Sequence, residues 1–526
     1  MQFDTPATTN PIDNLKVVGQ PIHRIDGQLK TTGRAMYAYE WHDPNMSYAY
    51  GYPVGAAIAK GRIRSMDVSS AKTAPGVLAV VTTLDVGERK KGRFNTAKLF
   101  GGDEVQHYHQ AIAVVVAETF EQARAAASLI KVDYAEEKGV FDLAKAKDSA
   151  VKPDESQQPD TAVGDFEAAF RSAPVTLDAS YTTPDQSHAM MEPHASIAAW
   201  NGDEVTVWTS SQMIDWWRSD LATTLDIDKE KIHLMSPFIG GGFGGKLFLR
   251  ADAVLAVVGA RAVKRPVKVA LPRPFLINNT THRPATIQRI RIGTERDGKI
   301  TAIAHESWSG DLPGGGLETA VNQTRLLYAG ANRMTAMRLA TLNLPEGNAM
   351  RAPGEAPGLM ALEIAIDEIA EKVGIDPVQF RIVNDTQVDP EKPQRPFSQR
   401  NLVGCLTLGA ERFGWGERGT GFQAGRQLAG RHGRCRCLPQ QPRPSLRSPG
   451  KTRPGRRRDG RNRHDRHRDG QLHDHRPDGR RDDGSHDRQG RRPIGRLAFS
   501  GVGGFGRSVR RQFFYVRRLR RLRQVA

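Results

Sequence analysis

Residues 236–246 read SPFIGGGFGGK, and the five glycines between positions 240 and 246 constrain this chain more than any other stretch. A short apolar run, KIHLM at 231–235, precedes them and predicts a buried strand. The segment 247–263, LFLRADAVLAVVGARAV, carries apolar residues at helical spacing with an alanine-rich face and predicts a helix. A glycine turn between strand and helix lets the main chain approach a ligand closely. It also leaves the first helical N–H groups free for an anion such as phosphate. Gly240, Gly242 and Gly245 satisfy G-x-G-x-x-G, and residues 240–246 fill the first seven places of a P-loop. Neither motif holds chemically. The P-loop needs Ser or Thr after its lysine, where Leu247 stands. The dinucleotide fingerprint needs an acid at the next strand end, and RPVKVA at 265–270 has none. The loop therefore reads as an anion-binding turn of another kind, with simple packing of helix on strand as the plainer alternative.

Charge divides the chain in two. The whole sequence of 526 residues has a formal net charge of +18. From Gly416 to Ala526, however, there are 31 basic and 9 acidic residues, a net of +22. The first 415 residues hold 45 bases and 49 acids, a net of −4, ordinary for a globular body. Three cysteines, Cys405, Cys435 and Cys437, suggest neither a disulfide framework nor an iron–sulfur cluster. The N-terminus lacks a charged start followed by an apolar run, so no signal peptide is expected, and no apolar stretch is long enough for a membrane span.

Taken in order, residues 1–18 read as an extended arm. Residues 56–59, 76–82, 111–116 and 131–134 read as strands. The segment 119–130 reads as a helix capped by Thr119, with Gln122 completing the capping box. Residues 136–164 suit a solvated linker. Further strands are expected at 175–181, 197–200 and 205–209, a helix at 213–224, a strand at 267–270, and a pair at 287–292 and 300–305 around the Asp297-Gly298 turn. Residues 359–373 predict an amphipathic helix whose Glu363, Asp367 and Glu368 read as a solvated face rather than a metal site. Beyond Trp415 the apolar periodicity stops, and the Arg/Gly-rich tail is expected to be disordered.

Several ordered motifs resemble the molybdenum hydroxylases, the xanthine dehydrogenase and aldehyde oxidase family. RIDG at 24–27, KTTG at 30–33 and AMY at 35–37 look like its hammerhead domain. MEPH at 191–194, Ser211-Gln212, GGGFGGK at 240–246 and MRAPGE at 350–355 look like its first molybdopterin-binding domain. The likeness is greatest to the molybdenum-binding large subunit of bacterial periplasmic aldehyde oxidoreductases, and it covers roughly residues 10–415. It implies an α+β fold: a hammerhead domain at 15–135, a linker at 136–164, a molybdopterin-binding domain at 165–415 and an aberrant tail at 416–526.

The resemblance also implies a site. Gly240, Gly241, Gly242, Phe243 and Gly244 would lie along a molybdenum–molybdopterin cytosine dinucleotide cofactor. Gln212 would donate to an oxygen ligand of the metal, a sensible place for an amide. Arg351 would line the substrate side and orient a carbonyl. Without the family, Gln212 is as readily a surface amide and Arg351 a surface ion-pair partner. His188, Glu192 and His194 have ligand chemistry, but H-x₃-E-x-H matches no zinc spacing, so no metal ligand is assigned to the protein. The resemblance further implies an iron–sulfur subunit with 2Fe-2S and an FAD subunit in a heterotrimer, with export from the cytoplasm carried by a partner, or a cytoplasmic location.

Two departures matter. Purine-oxidising members place a glutamate after the loop lysine and phenylalanines around the arginine, where Leu247, Met350 and Pro353 stand here. An apolar pocket suited to aldehydes, aromatic ones in particular, is expected instead. Second, nothing after Trp415 resembles the second molybdopterin domain, which holds the family's general-base glutamate. The chain as written is thus expected to be inactive and its tail to be a shifted reading frame. The competing reading is a non-specific nucleic-acid binder acting through the arginine tail, disfavoured by the near absence of interleaved aromatics.

Overall fold

The computed structural model describes residues 20–417, apart from 155, 156 and 158. The N-terminal arm and nearly all of the arginine-rich tail lie outside the described residues, as does the expected disorder of that tail.

The run AIAVVVA at 111–117 is buried at every position. A strand with two apolar faces must be covered twice, and this one is. Val114 and Val116 face the core around the helix Ala251–Val263, while Val115 packs with Val80, Ala71 and Ala126 beneath the helix Phe120–Ala127. That helix starts with the expected capping box: Thr119 Oγ1 accepts from Gln122 N at 3.2 Å, and Gln122 Oε1 accepts from Thr119 N at 3.1 Å.

Ala111–Ala117 sits in a seven-stranded sheet ordered Ile232–Met235, Glu204–Thr209, Ala195–Asn201, Val267–Ala270, Ala49–Gly55, Ala111–Ala117, Val77–Thr82. The sheet joins early and late sequence at its centre, where Ala49–Gly55 runs parallel to Val267–Ala270 with Gly51 opposite Val269. A Cβ on Gly51 would lie 2.7 Å from Val269 Cγ2, so glycine there lets the side chains of neighbouring strands close over it. The strand expected at 56–59 lies instead at 49–55, because Gly51 and Pro53 hide a strand that packing demands. Gly61–Asp67 pairs with Glu104–Val105 and Lys131–Glu136 in a smaller antiparallel sheet.

A second large sheet is ordered Thr161–Val163, Asn332–Thr341, Ile300–Asp311, Thr286–Thr294, Val175–Thr183. The helix Glu355–Val373 covers it, packing Leu362, Ala365, Ile366 and Ile369 on Leu177, Ile290, Ile292 and Ile303. The acidic side chains of this helix are not simply solvated. Arg381 bonds Glu363 Oε2 at 2.8 Å and Asp367 Oδ1 at 2.6 Å, and Tyr181 donates to Glu368 at 2.6 Å. The stretch read as a linker is also packed rather than solvated. Asp142 caps a short helix, Leu143–Ala146, whose Leu143 and Ala146 are buried against Ala340 and Leu342. No helix among the described residues is long and apolar enough to cross a membrane.

Candidate functional site

The glycine loop follows the strand Ile232–Met235 as expected, but the helix begins only at Ala251. Residues 247–250 are not helical, because Arg250 is drawn into the core as the N-cap and pairs with Glu346 at 3.3 Å. Glu346 in turn accepts the N–H groups of Thr96 and Ala97 at 2.8 and 3.0 Å. The helix terminus is therefore not where an anion would sit. The loop itself offers the donors. Gly240 N, Gly244 N, Gly245 N, Lys246 N and Leu247 N are all bonded within the chain. The N–H groups of Gly241, Gly242 and Phe243 donate to nothing among the described residues.

Backbone shape explains the glycines. Gly241 and Gly244 have φ of +94° and +103°, and Phe243 between them is held at +52°, rare for a large side chain. A Cβ on Gly244 would stand 2.2 Å from Ala349 O, and one on Gly242 would stand 2.5 Å from Gln212 Oε1. Gly244→Ala should therefore destabilise the chain by at least about 1–3 kcal/mol, read as a lower urea midpoint. A midpoint equal to wild type would mean the loop is not held against residue 349.

A buried polar clamp fixes both ends of the loop. Glu192 Oε2 accepts from Gly240 N, Lys246 Nζ and Ser210 Oγ, each at 2.7 Å. Lys246 has no exposed side-chain surface and also donates to Glu192 O and Ser210 Oγ, both at 3.1 Å. Burial lowers the Lys246 pKa, and the Glu192 carboxylate opposes that shift. His194 Nε2 bonds Gly245 O at 3.0 Å, and burial drives its pKa down to about 3, so the ring is neutral and Nε2 is the donor. His188 packs beneath Gly245 and bonds Ala349 O at 2.8 Å. Both histidines and Glu192 thus serve the loop, and no cluster among the described residues could hold a metal ion.

Gln212 and Arg351 are each tied to the glycine loop, at separate points. Two main-chain N–H groups, of Gly244 and Lys246, point at one end of the Gln212 amide at 3.0 and 3.2 Å, which identifies that atom as the oxygen. The NH₂ end donates to nothing among the described residues, and Gln212 is exposed. Arg351 N donates to Phe243 O at 2.8 Å, tying the arginine loop to the glycine loop. The backbone around Arg351 is held from behind: Arg283 Nη2 donates to Met350 O at 3.2 Å and to Arg351 O, and Glu318 accepts from Gly354 N. The Arg351 guanidinium is exposed and bonds nothing among the described residues. Met350 is buried and Leu247 half-buried. Beside Gly240 an apolar cleft of about 550 Å³ opens between Tyr37, Tyr39, Met191 and Pro193.

Reading the sequence did not reveal Glu192 and Lys246 as partners, nor Arg283, Glu318 and Glu346 as supports. The one available signal was a lysine and a glutamate inside two otherwise apolar motifs, where a charge requires a counter-charge.

Residues 32–138 match the family described as aldehyde oxidase and xanthine dehydrogenase, a/b hammerhead domain, and residues 149–385 match the molybdopterin cofactor-binding domain. The aldehyde oxidoreductase molybdenum-binding subunit PaoC of Escherichia coli K12 is 66% identical over 418 residues, covering 80% of this chain and 57% of its own. The nicotinate dehydrogenase large molybdopterin subunit of Eubacterium barkeri is 27% identical over 386 residues, 71% of this chain and 90% of its own. The solved aldehyde oxidoreductase of Desulfovibrio gigas superposes with a TM-score of 0.66 at 23% identity, covering 74% of this chain and 46% of its own. The chain thus spans little more than half the length of the PaoC proteins it matches.

Proposed function

The chain belongs to the aldehyde oxidase and xanthine dehydrogenase family as a molybdenum-binding subunit, and from that premise we propose that its site serves oxidation of aldehydes, aromatic ones above all, to carboxylic acids. The observation that carries this reading is that Gln212 and Arg351 are both tied to a glycine loop whose Gly241–Phe243 N–H groups have no acceptor among the described residues. The fit to the cofactor is good. Three consecutive unclaimed N–H groups suit an acceptor-rich ligand. Gly240, Gly241, Gly242, Phe243 and Gly244 would hold a molybdenum–molybdopterin cytosine dinucleotide. When bound, that group supplies the two-electron oxidation. The unclaimed NH₂ of Gln212 would donate to an oxygen beside the reacting carbon, and the Arg351 guanidinium would orient the aldehyde carbonyl and offset charge developing on it. Leu247 and Met350 would give the substrate side an apolar lining. With three cysteines in the chain, electron exit falls to partner subunits carrying 2Fe-2S and FAD.

The residues after Trp415 bear on activity. Their flood of Arg, Gly, Pro, His and Asp, with almost no Lys or Glu, is the mixture that a GC-rich gene gives when read out of frame. On that account the residues after Trp415 are not the family's own continuation in the translated frame. One observation favours a second reading: a relative named as a large molybdopterin subunit is 90% covered by this chain. A chain of this extent can then be completed by a separate polypeptide. The gene's nucleotide sequence decides between them. In the first case another frame stays open past the Trp415 codon and encodes a glycine-rich half with a late glutamate; in the second neither does. Molybdenum should co-purify with the completed protein in near-equal amount. A completed, folded protein without molybdenum would overturn the cofactor assignment.

A further inference from the structure

At the far end of the helix Ala251–Val263, roughly 15 Å along its axis from its first residue, a second cleft of about 350 Å³ opens. Its floor is apolar: Val81, Trp200, Leu225 and Val258 line it, each packed from outside against the main core. Two arginines, Arg89 and Arg261, line the same cleft. Neither has an ion-pair partner or a hydrogen bond among the described residues, and the Arg89 Nε is buried without an acceptor. Arg261 lies over the Trp200 ring with its guanidinium carbon 4.8 Å from the centroid. That ring is held in place by a bond from Trp200 Nε1 to Val257 O at 3.0 Å.

The one carboxylate in the lining forms no ion pair with either arginine. Asp85 turns into its own helix start, where its Oδ2 accepts from Thr82 N at 2.9 Å and Thr82 Oγ1 at 2.7 Å. Arg89 is also built into its place, since a Cβ on Gly101 would stand 2.8 Å from Arg89 Cγ. Two guanidinium groups line one apolar cleft and lack the acceptor their forks require. An occupant that answers both features has an anionic head and an apolar body.

We propose that this cleft binds a small carboxylate with an apolar body, its carboxylate bridging Arg89 and Arg261 and its body resting on Trp200, Leu225 and Val258. A cleft of this size takes an aromatic acid or a medium-length acyl chain. The site stands whether or not the reading of the glycine loop holds.

Calorimetric titration of the full chain tests this, with sodium benzoate and sodium octanoate as the two arms and 1-octanol and inorganic phosphate as controls. At least one acid should bind saturably at one site and shift the tryptophan fluorescence of the chain, a shift that Trp200→Phe should remove, and which acid binds more tightly identifies the source class. Phosphate and 1-octanol should bind at least about tenfold more weakly, as each offers only half of the recognition. Arg89→Gln and Arg261→Gln, checked for unchanged circular dichroism, should each weaken the acid by about tenfold or more. These variants leave the arginine tail intact, so tail binding would not respond to them. Absence of saturable acid binding, phosphate binding as tight as the acids, or binding indifferent to both variants would overturn the proposal.

Discussion

Glu192→Ala should lower the folding stability of this chain by about 3–5 kcal/mol, because it strands a buried cation. Lys246 has no exposed side-chain surface, and its ammonium would keep only one carbonyl and one hydroxyl, both at 3.1 Å. Gly240 N and Ser210 Oγ would lose their acceptor in the same step. The Glu192 side chain retains 14% exposure, so entering water softens the loss towards the lower end of that range. Glu192→Gln preserves an acceptor oxygen without its charge and should cost about 1.5–3 kcal/mol, the range for bonds to a charged group. Pairing it with Lys246→Met removes both charges and should recover part of the loss, a coupling that a double-mutant cycle reads directly. Urea unfolding followed by tryptophan fluorescence gives all three values. A Glu192→Ala chain within 1 kcal/mol of wild type would show that Lys246 is either neutral or reached by solvent.

What could be foreseen from sequence follows from how local each cause is. AIAVVVA at 111–117 announces a strand because seven consecutive apolar residues leave no polar face, and the Thr119–Gln122 box announces the next helix from four adjacent residues. The strand Ala49–Gly55 was not legible, since its Gly51 is needed only because Val269, more than 200 residues away, packs over it. The late start of the helix Ala251–Val263 has the same origin: its apolar spacing begins at residue 247, but Arg250 answers to Glu346. In the site, the turn character of the glycines was readable, whereas Glu192 and Lys246 stand 54 positions apart and meet only through the fold. The resemblance supplied Gln212 and Arg351; it did not supply which end of the Gln212 amide serves the loop.

That last point separates two tasks within one side chain. The Gln212 oxygen holds Gly244 N and Lys246 N, which leaves only its NH₂ without a partner among the described residues. Gln212→Glu keeps an acceptor for both N–H groups while removing the donor. In the completed, cofactor-loaded protein it should therefore preserve the urea midpoint and still lower kcat/KM for an aromatic aldehyde by about 10²–10³-fold, the usual loss when one preorganised donor is removed. Gln212→Ala removes both functions and should lower stability as well as rate. Arg351 offers a cleaner case, because its contacts with the protein run through the main chain. Arg351→Ala should leave stability within about 0.5 kcal/mol of wild type while lowering kcat/KM by a similar 10²–10³-fold. Arg351→Lys keeps the charge but loses the planar fork, and should recover only part of the rate. If Gln212→Glu and Arg351→Ala both turn over the aldehyde at the wild-type rate, neither side chain touches the reaction, and the open face of the loop serves binding alone.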